Sequence, residues 1–199
     1  MISANIFSLV SYVLISTFTP GPSNLSSTSL GVLHGYKKTL KYQAGLAAGV
    51  FGVMLLSGWI SATLLSIFPA LEPALRYAGA AYILYLAFGM LKASYIFAEQ
   101  DANQLGFGHG LALQILNPKL IVYAFTLFAA FLAPITGNAA LLALAAVLLA
   151  AISFAATSVW ALFGTAIKTY LHNPRLKAAA NIILALLLVY TAIELAGIL

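Results

Sequence analysis

Thr19-Pro20-Gly21-Pro22-Ser23-Asn24 and Asn117-Pro118-Lys119 each interrupt the middle of a long apolar run. Proline inside a helix removes a backbone donor and deprives the carbonyl one turn earlier of its partner, a loss that lipid cannot make good. Such breaks persist in a bilayer only where the backbone is buried in protein or faces a wet cavity. The two stretches therefore point to a membrane protein with a polar site at the depth of its broken helices.

Of 199 residues, 63% are hydrophobic and 7% charged, with a mean hydropathy of +1.03. That balance cannot supply the polar exterior of a soluble domain. The chain has no cysteine, so disulfides and thiolate metal sites are excluded. Its start, Met1-Ile2-Ser3-Ala4-Asn5, lacks a basic side chain, and no small-x-small cleavage pattern follows. The first run accordingly reads as a permanent span and not a secretory signal.

A hydrocarbon core of about 30 Å needs about 20 apolar residues per helix. Charge, proline and glycine divide the chain into six such runs, at residues 4–30, 42–66, 73–96, 107–133, 139–166 and 178–197. The longest polar connection, 98–106, separates a first half (1–97) from a second (107–199), each with three spans, within a single membrane domain. Lys37, Lys38, Lys41, Lys92, Lys168, Arg175 and Lys177 flank the connections after spans one, three and five, whereas Arg76 alone lies near the others. The positive-inside rule makes those three connections cytoplasmic and both termini external. Topology thus accounts for the net charge of +5, and the short loops leave no basic surface for nucleic acid. Three spans per half is odd, so the halves face opposite ways. The expected fold is an all-α membrane protein: six transmembrane helices arranged as two inverted three-helix repeats, with helices 1 and 4 broken.

The breaks also match in depth. Pro22 lies 12 residues before His34 and Pro118 lies 12 residues after Gly106, about 18 Å inward at 1.5 Å per residue. Each contains an N-cap residue followed by proline, Thr19-Pro20 and Asn117-Pro118, which can start a fresh half-helix within the membrane. Unpaired N–H groups and the positive end of a helix dipole suit a carboxylate, while the carbonyls that end the preceding half-helix suit an ammonium group. Lys119 adds a cation near the midplane, costing about 2.5–3.5 kcal/mol on insertion scales. With no acidic residue in the central part of any span, its partners are expected to be carbonyls, water or a substrate carboxylate. Snorkelling is the weaker reading, because the outer loop is roughly 20 Å away.

The residues expected to bind and translocate substrate are Thr19, Pro20, Gly21, Pro22, Asn24, Gln114, Asn117, Pro118 and Lys119, with Gln114 and Asn117 on one helical side. Ser153, Thr157, Trp160 and Gly164 follow helical spacing and either line a path or pack between helices. Gly45, Gly49 and Gly52 form a small-residue seam assigned to packing. His34, His109 and His172 fall on three separate connections without a helical pair, so no metal site or cofactor is expected.

On these residues the chain resembles the LysE/RhtB family of amino-acid exporters. The opening signature is Thr19-Pro20-Gly21-Pro22-Ser23-Asn24 with Gly31, His34-Gly35 and Gly45 to Gly49; the second is Leu116-Asn117-Pro118-Lys119. Gly79-Ala80-Ala81-Tyr82 and the stretch 181–190 look closest to the cysteine/O-acetylserine exporter branch. The resemblance implies efflux of small amino acids or derivatives across the bacterial inner membrane. Some relatives carry an acid in the second or fifth span, where this chain has Gly49 to Met54 and Ile152 to Thr157 without one. That departure turns the expectation from cationic substrates to neutral ones, of cysteine/O-acetylserine or homoserine/threonine type. The coupling ion, with the proton as candidate, and the homo-oligomeric state stay open. A non-transporting assembly protein and an intramembrane enzyme are the alternatives, the second disfavoured because no central His, Asp, Glu or Cys offers a nucleophile, base or metal ligand.

Overall fold

The computed structural model describes residues 2–67 and 106–168, with single helical positions at 77, 81, 84 and 88 and scattered ones between 175 and 193. The expected spans at 73–96 and 178–197, the linker at 98–106 and His172 fall largely or wholly outside the described residues. Regular structure among the described residues is entirely helical: α1 (Ile2–Phe18), α2 (Pro22–His34), α3 (Tyr36–Ile67), α4 (Phe107–Ile115), α5 (Pro118–Leu127) and α6 (Ala139–Ile167). The first apolar run is thus α1 plus α2, and the fourth is α4 plus α5, the latter pair bent by 61°.

Tyr36–Ile60 and Ala139–Ile167 are each long and apolar enough to cross a bilayer, and the bent pair α4–α5 makes a third such unit. The second span begins earlier than its hydropathy indicated, at Tyr36 and not residue 42, because Gly35 is the whole connection between α2 and α3. Gly35 adopts φ 78° and ψ 159° and donates its N–H to the Gly31 carbonyl at 2.9 Å. That backbone region is essentially closed to residues with a Cβ. Lys37, Lys38 and Lys41 therefore ride on the first two turns of α3. Asn138 starts α6 as its sequence suggests, its Oδ1 accepting from the N–H groups of Ala140 (3.0 Å) and Leu141 (3.1 Å). At the other end of α5 the chain widens into a π-turn, Phe128–Leu132, ahead of Pro134.

Two seams of direct backbone contact set the packing. A Cβ at Gly31 would overlap the Ala161 carbonyl oxygen, and one at Gly164 would overlap that of Thr28, so α2 and α6 touch main chain to main chain. Gly45 meets the Phe107 carbonyl and Gly110 meets that of Tyr42, joining α3 to α4 in the same manner. Small residues let membrane helices approach this closely. Gly52, assigned by sequence to the same seam as Gly45 and Gly49, would bring a Cβ within 4 Å of nothing among the described residues, so it takes no part in the α3–α4 contact. Lys168 Nζ donates to the Leu33 carbonyl at 3.3 Å, so the C-terminal ends of α2 and α6 lie together, beside the lysines of α3. Away from this basic end, contacts run through side chains: Val50, Met54, Leu120, Leu127, Phe128 and Leu142 form the apolar core. The outer flank of α6, including Leu144, Leu148, Leu162 and Phe163, is exposed, as a lipid-facing surface should be.

Candidate functional site

The restart of the first helix differs in detail from its sequence reading. Gly21, extended at φ −169° and ψ 176°, is the N-cap residue, and Pro22 opens α2. Thr19 does not cap it; its hydroxyl turns back to the Ile15 carbonyl, the local bond that competes with capping for Ser and Thr. The second restart is as expected: Asn117 Oδ1 accepts from the Lys119 N–H at 3.1 Å, and Pro118 takes the first helical position.

Counting the carbonyls that α1 loses at its broken end shows what the site holds. The Ile15 carbonyl keeps the Thr19 N–H at 2.9 Å. Asn24 Nδ2 donates to the carbonyls of Thr17 (2.9 Å) and Thr19 (3.0 Å). Trp160 Nε1, from α6, reaches the Phe18 carbonyl at 3.2 Å. Lys119 Nζ crosses from α5 to the carbonyls of Thr19 (3.1 Å) and Pro20 (3.2 Å). The Ser16 carbonyl loses its helical donor, which would have been the N–H that Pro20 lacks. Carbonyl oxygens are thus partners of Lys119, and their dipoles offset part of the cost of a cation at this depth.

The two breaks meet. The Ser23 hydroxyl donates to Gln114 Oε1, and Asn117 Nδ2 bonds both Ser23 Oγ (3.1 Å) and Gln114 Oε1 (3.3 Å). All three side chains are buried, so the network is electrostatically strong and costly to leave incomplete. Gly49 makes room for it, because a Cβ there would lie 2.7 Å from Gln114 Cβ. Gly21 does the same for the lysine: its Cβ would be 3.1 Å from Lys119 Cδ and 3.4 Å from Nζ.

Between the breaks lies a cavity of ≈ 50 Å³, space for a few water molecules by the usual measure of about 10–15 Å³ each. Ser16, Thr17, Thr19, Gly21, Ser23 and Asn24 line one side, and Gln114, Asn117, Lys119, Leu120 and Tyr123 line another. Val50 of α3 with Leu149 and Ser153 of α6 complete its lining. Beyond Tyr123 the rings stack: Tyr12 lies 5.6 Å from Tyr123 and 5.5 Å from Phe131, centroid to centroid. The buried Tyr123 hydroxyl sits beside Thr17 and makes no hydrogen bond of ordinary geometry among the described residues.

Of the residues singled out by sequence, Thr19, Gly21, Asn24, Gln114, Asn117 and Lys119 line this cavity, whereas Pro20, Pro22 and Pro118 shape the backbone around it. Ser153 lines it too. Thr157 and Trp160 are not among its walls: Thr157 bonds the Phe154 carbonyl at 3.1 Å, and Trp160 supports the end of α1. Val50, Leu149 and Tyr123 carried no signal in the sequence, since an apolar or aromatic residue in an apolar helix resembles its neighbours.

The chain matches the model of the LysE type translocators over residues 14–197. It belongs to the LysE family. Curated relatives include the cysteine/O-acetylserine efflux protein of Salmonella typhimurium (strain LT2), 35% identical over 185 residues that cover 92% of this chain and 93% of the relative. The protein of the same description from Escherichia coli (strain K12) is 35% identical over 184 residues with the same coverage. No solved structure matches the chain. Membership in the LysE family places the chain among translocators, not enzymes, and among proteins whose apolar helices lie in a membrane.

Proposed function

We propose that this LysE-family protein exports a small neutral amino acid or derivative, of the cysteine or O-acetylserine kind, from the bacterial cytoplasm across the inner membrane. The observation that carries the reading is the contact between Lys119 Nζ and the carbonyls of Thr19 and Pro20 at the junction of the two breaks. A zwitterion can enter that contact without leaving a charge unsatisfied. Its carboxylate takes the lysine ammonium, and its own ammonium takes the vacated carbonyls, with the Ser16 carbonyl adjacent. The orphan N–H groups of Ser23 and Asn24 at the start of α2 add donors for the carboxylate. A cationic amino acid would bring a second positive charge to a site where no acidic residue stands among the described residues, so neutral substrates are favoured.

The same frame supports alternating access between two inverted three-helix halves. Both backbone seams, α2 on α6 and α3 on α4, lie at the basic end, which the positive-inside rule makes cytoplasmic. Close packing at that end is what a state closed to the cytoplasm requires. Both termini then face the periplasm. Reporter fusions at either terminus check the orientation, and a cytoplasmic signal from one would refute it.

Inside-out vesicles from cells overproducing the protein test the activity. Accumulation of labelled L-cysteine or O-acetyl-L-serine above control vesicles, with no accumulation of L-lysine, is expected. Accumulation of no amino acid at all would refute the exporter.

A further inference from the structure

We infer that Ser153 is the residue that reads the substrate's side chain, selecting short side chains with a polar atom at the γ position over apolar ones of the same shape. The inference rests on the exporter reading above and deepens it. With Lys119 and the freed carbonyls of the broken helices holding the carboxylate and ammonium, the side chain is left the wall that the broken helices do not supply. That wall is Val50 from α3 and, one helical turn apart on α6, Leu149 and Ser153. Val50 is 2% exposed and the two α6 residues 8% each, so the wall is shielded from bulk solvent.

Several hydroxyls in the surrounding helices are satisfied by their own helix. Thr28 bonds the Asn24 carbonyl at 3.0 Å, Thr157 that of Phe154 at 3.1 Å, and Thr165 that of Ala161 at 2.9 Å. The network at the breaks is likewise complete, with Ser23, Gln114 and Asn117 bonded to one another. The Ser153 hydroxyl makes no hydrogen bond among the described residues, though it faces the cavity and is more than nine-tenths buried. A buried hydroxyl without a partner is costly, and a ligand that supplies one gains what the free protein lacks. Val50 and Leu149 are apolar, so Ser153 is the polar group that α3 and α6 contribute to the lining. The matching chemistry is a hydroxyl, a thiol or an ester oxygen one carbon from the α carbon.

Competition in inside-out vesicles tests this with two side chains of the same shape. Uptake of labelled L-cysteine is challenged with L-serine and with L-2-aminobutyrate, which replaces the hydroxyl by a methyl group. L-serine is expected to compete about tenfold better in the wild type, the range of one neutral hydrogen bond. In Ser153→Ala the ratio falls to about one, and equal membrane levels exclude a folding defect. A wild type with no preference, or a Ser153→Ala protein that keeps the wild-type ratio, would overturn the assignment while leaving the exporter standing. Vesicles that take up no amino acid would overturn both.

Discussion

Replacing Lys119 by glutamine separates a lysine that holds the protein together from one that receives substrate. Nζ bonds the carbonyls of Thr19 and Pro20 at 3.1 and 3.2 Å, charge-assisted contacts of about 1.5–3 kcal/mol each. On binding, the protein gives up both and regains them from the substrate's ammonium, so these terms nearly cancel. What is left is the new ion pair between the lysine and the carboxylate in a largely buried setting. Removing one member of such a pair costs about 2–5 kcal/mol, and a middle value of about 3 kcal/mol is roughly a 150-fold loss of affinity. Glutamine keeps an amide donor for the carbonyls but not the charge, so the folded state is spared more than the binding. Lys119→Gln is therefore expected to raise KM for L-cysteine in vesicles about 100-fold with membrane levels within about twofold of wild type. Transport within threefold of wild type would refute the assignment and make Lys119 a structural staple between α5 and the first break.

Other expectations follow from single contacts. Asn117→Ala removes a helix cap and two bonds to the Ser23–Gln114 pair; a loss of about 2–3 kcal/mol in denaturant or thermal unfolding in detergent is expected, the sum of a cap and an incomplete buried network. A double-mutant cycle between Ser23→Ala and Gln114→Leu should show coupling of about 1 kcal/mol or more, because either change alone orphans the other's partner. Gly35→Ala, at φ 78° and ψ 159°, should cost about 1–3 kcal/mol from backbone strain alone, with nothing within 4 Å to clash. Gly31→Val and Gly110→Val force apart the α2–α6 and α3–α4 seams; each should leave the basic end accessible to a membrane-impermeant amine or thiol reagent at introduced sites, where wild type is protected.

Much of this site was legible because proline and a midplane charge are rare in apolar helices and carry a physical cost. Asn117 caps a helix that Pro118 opens, as their chemistry implies, and the lysine bonds carbonyls, one of the partners open to it with no acid in the central part of any span. The pairing of Ser23 with Gln114, 91 residues apart, was not legible, since sequence spacing says which residues share a helix face and not which faces meet. The same limit applies to the seams: Gly45 and Gly49 read as packing residues, but Gly31 with Ala161 and Gly164 with Thr28 come together only through the tertiary fold. Thr19 looked like a cap because Thr-Pro is a capping pair; the following Gly21-Pro22 offered the helix a later start, and the Thr19 hydroxyl turned to Ile15 instead. Trp160 continues a stripe readable from sequence either as path lining or as packing, and its indole bonds the Phe18 carbonyl at the end of α1.

The central claim is that the meeting of two broken helices recognises both ends of a neutral zwitterion. Equilibrium binding to the purified protein tests it with three ligands: L-cysteine kept reduced, its methyl ester, and its N-acetyl derivative. The account predicts that L-cysteine binds and that each derivative loses at least tenfold in affinity, the ester for want of a carboxylate to pair with Lys119 and the N-acetyl compound for want of an ammonium to meet the carbonyls of Ser16, Thr19 and Pro20. Binding of either derivative as tightly as the parent would contradict it.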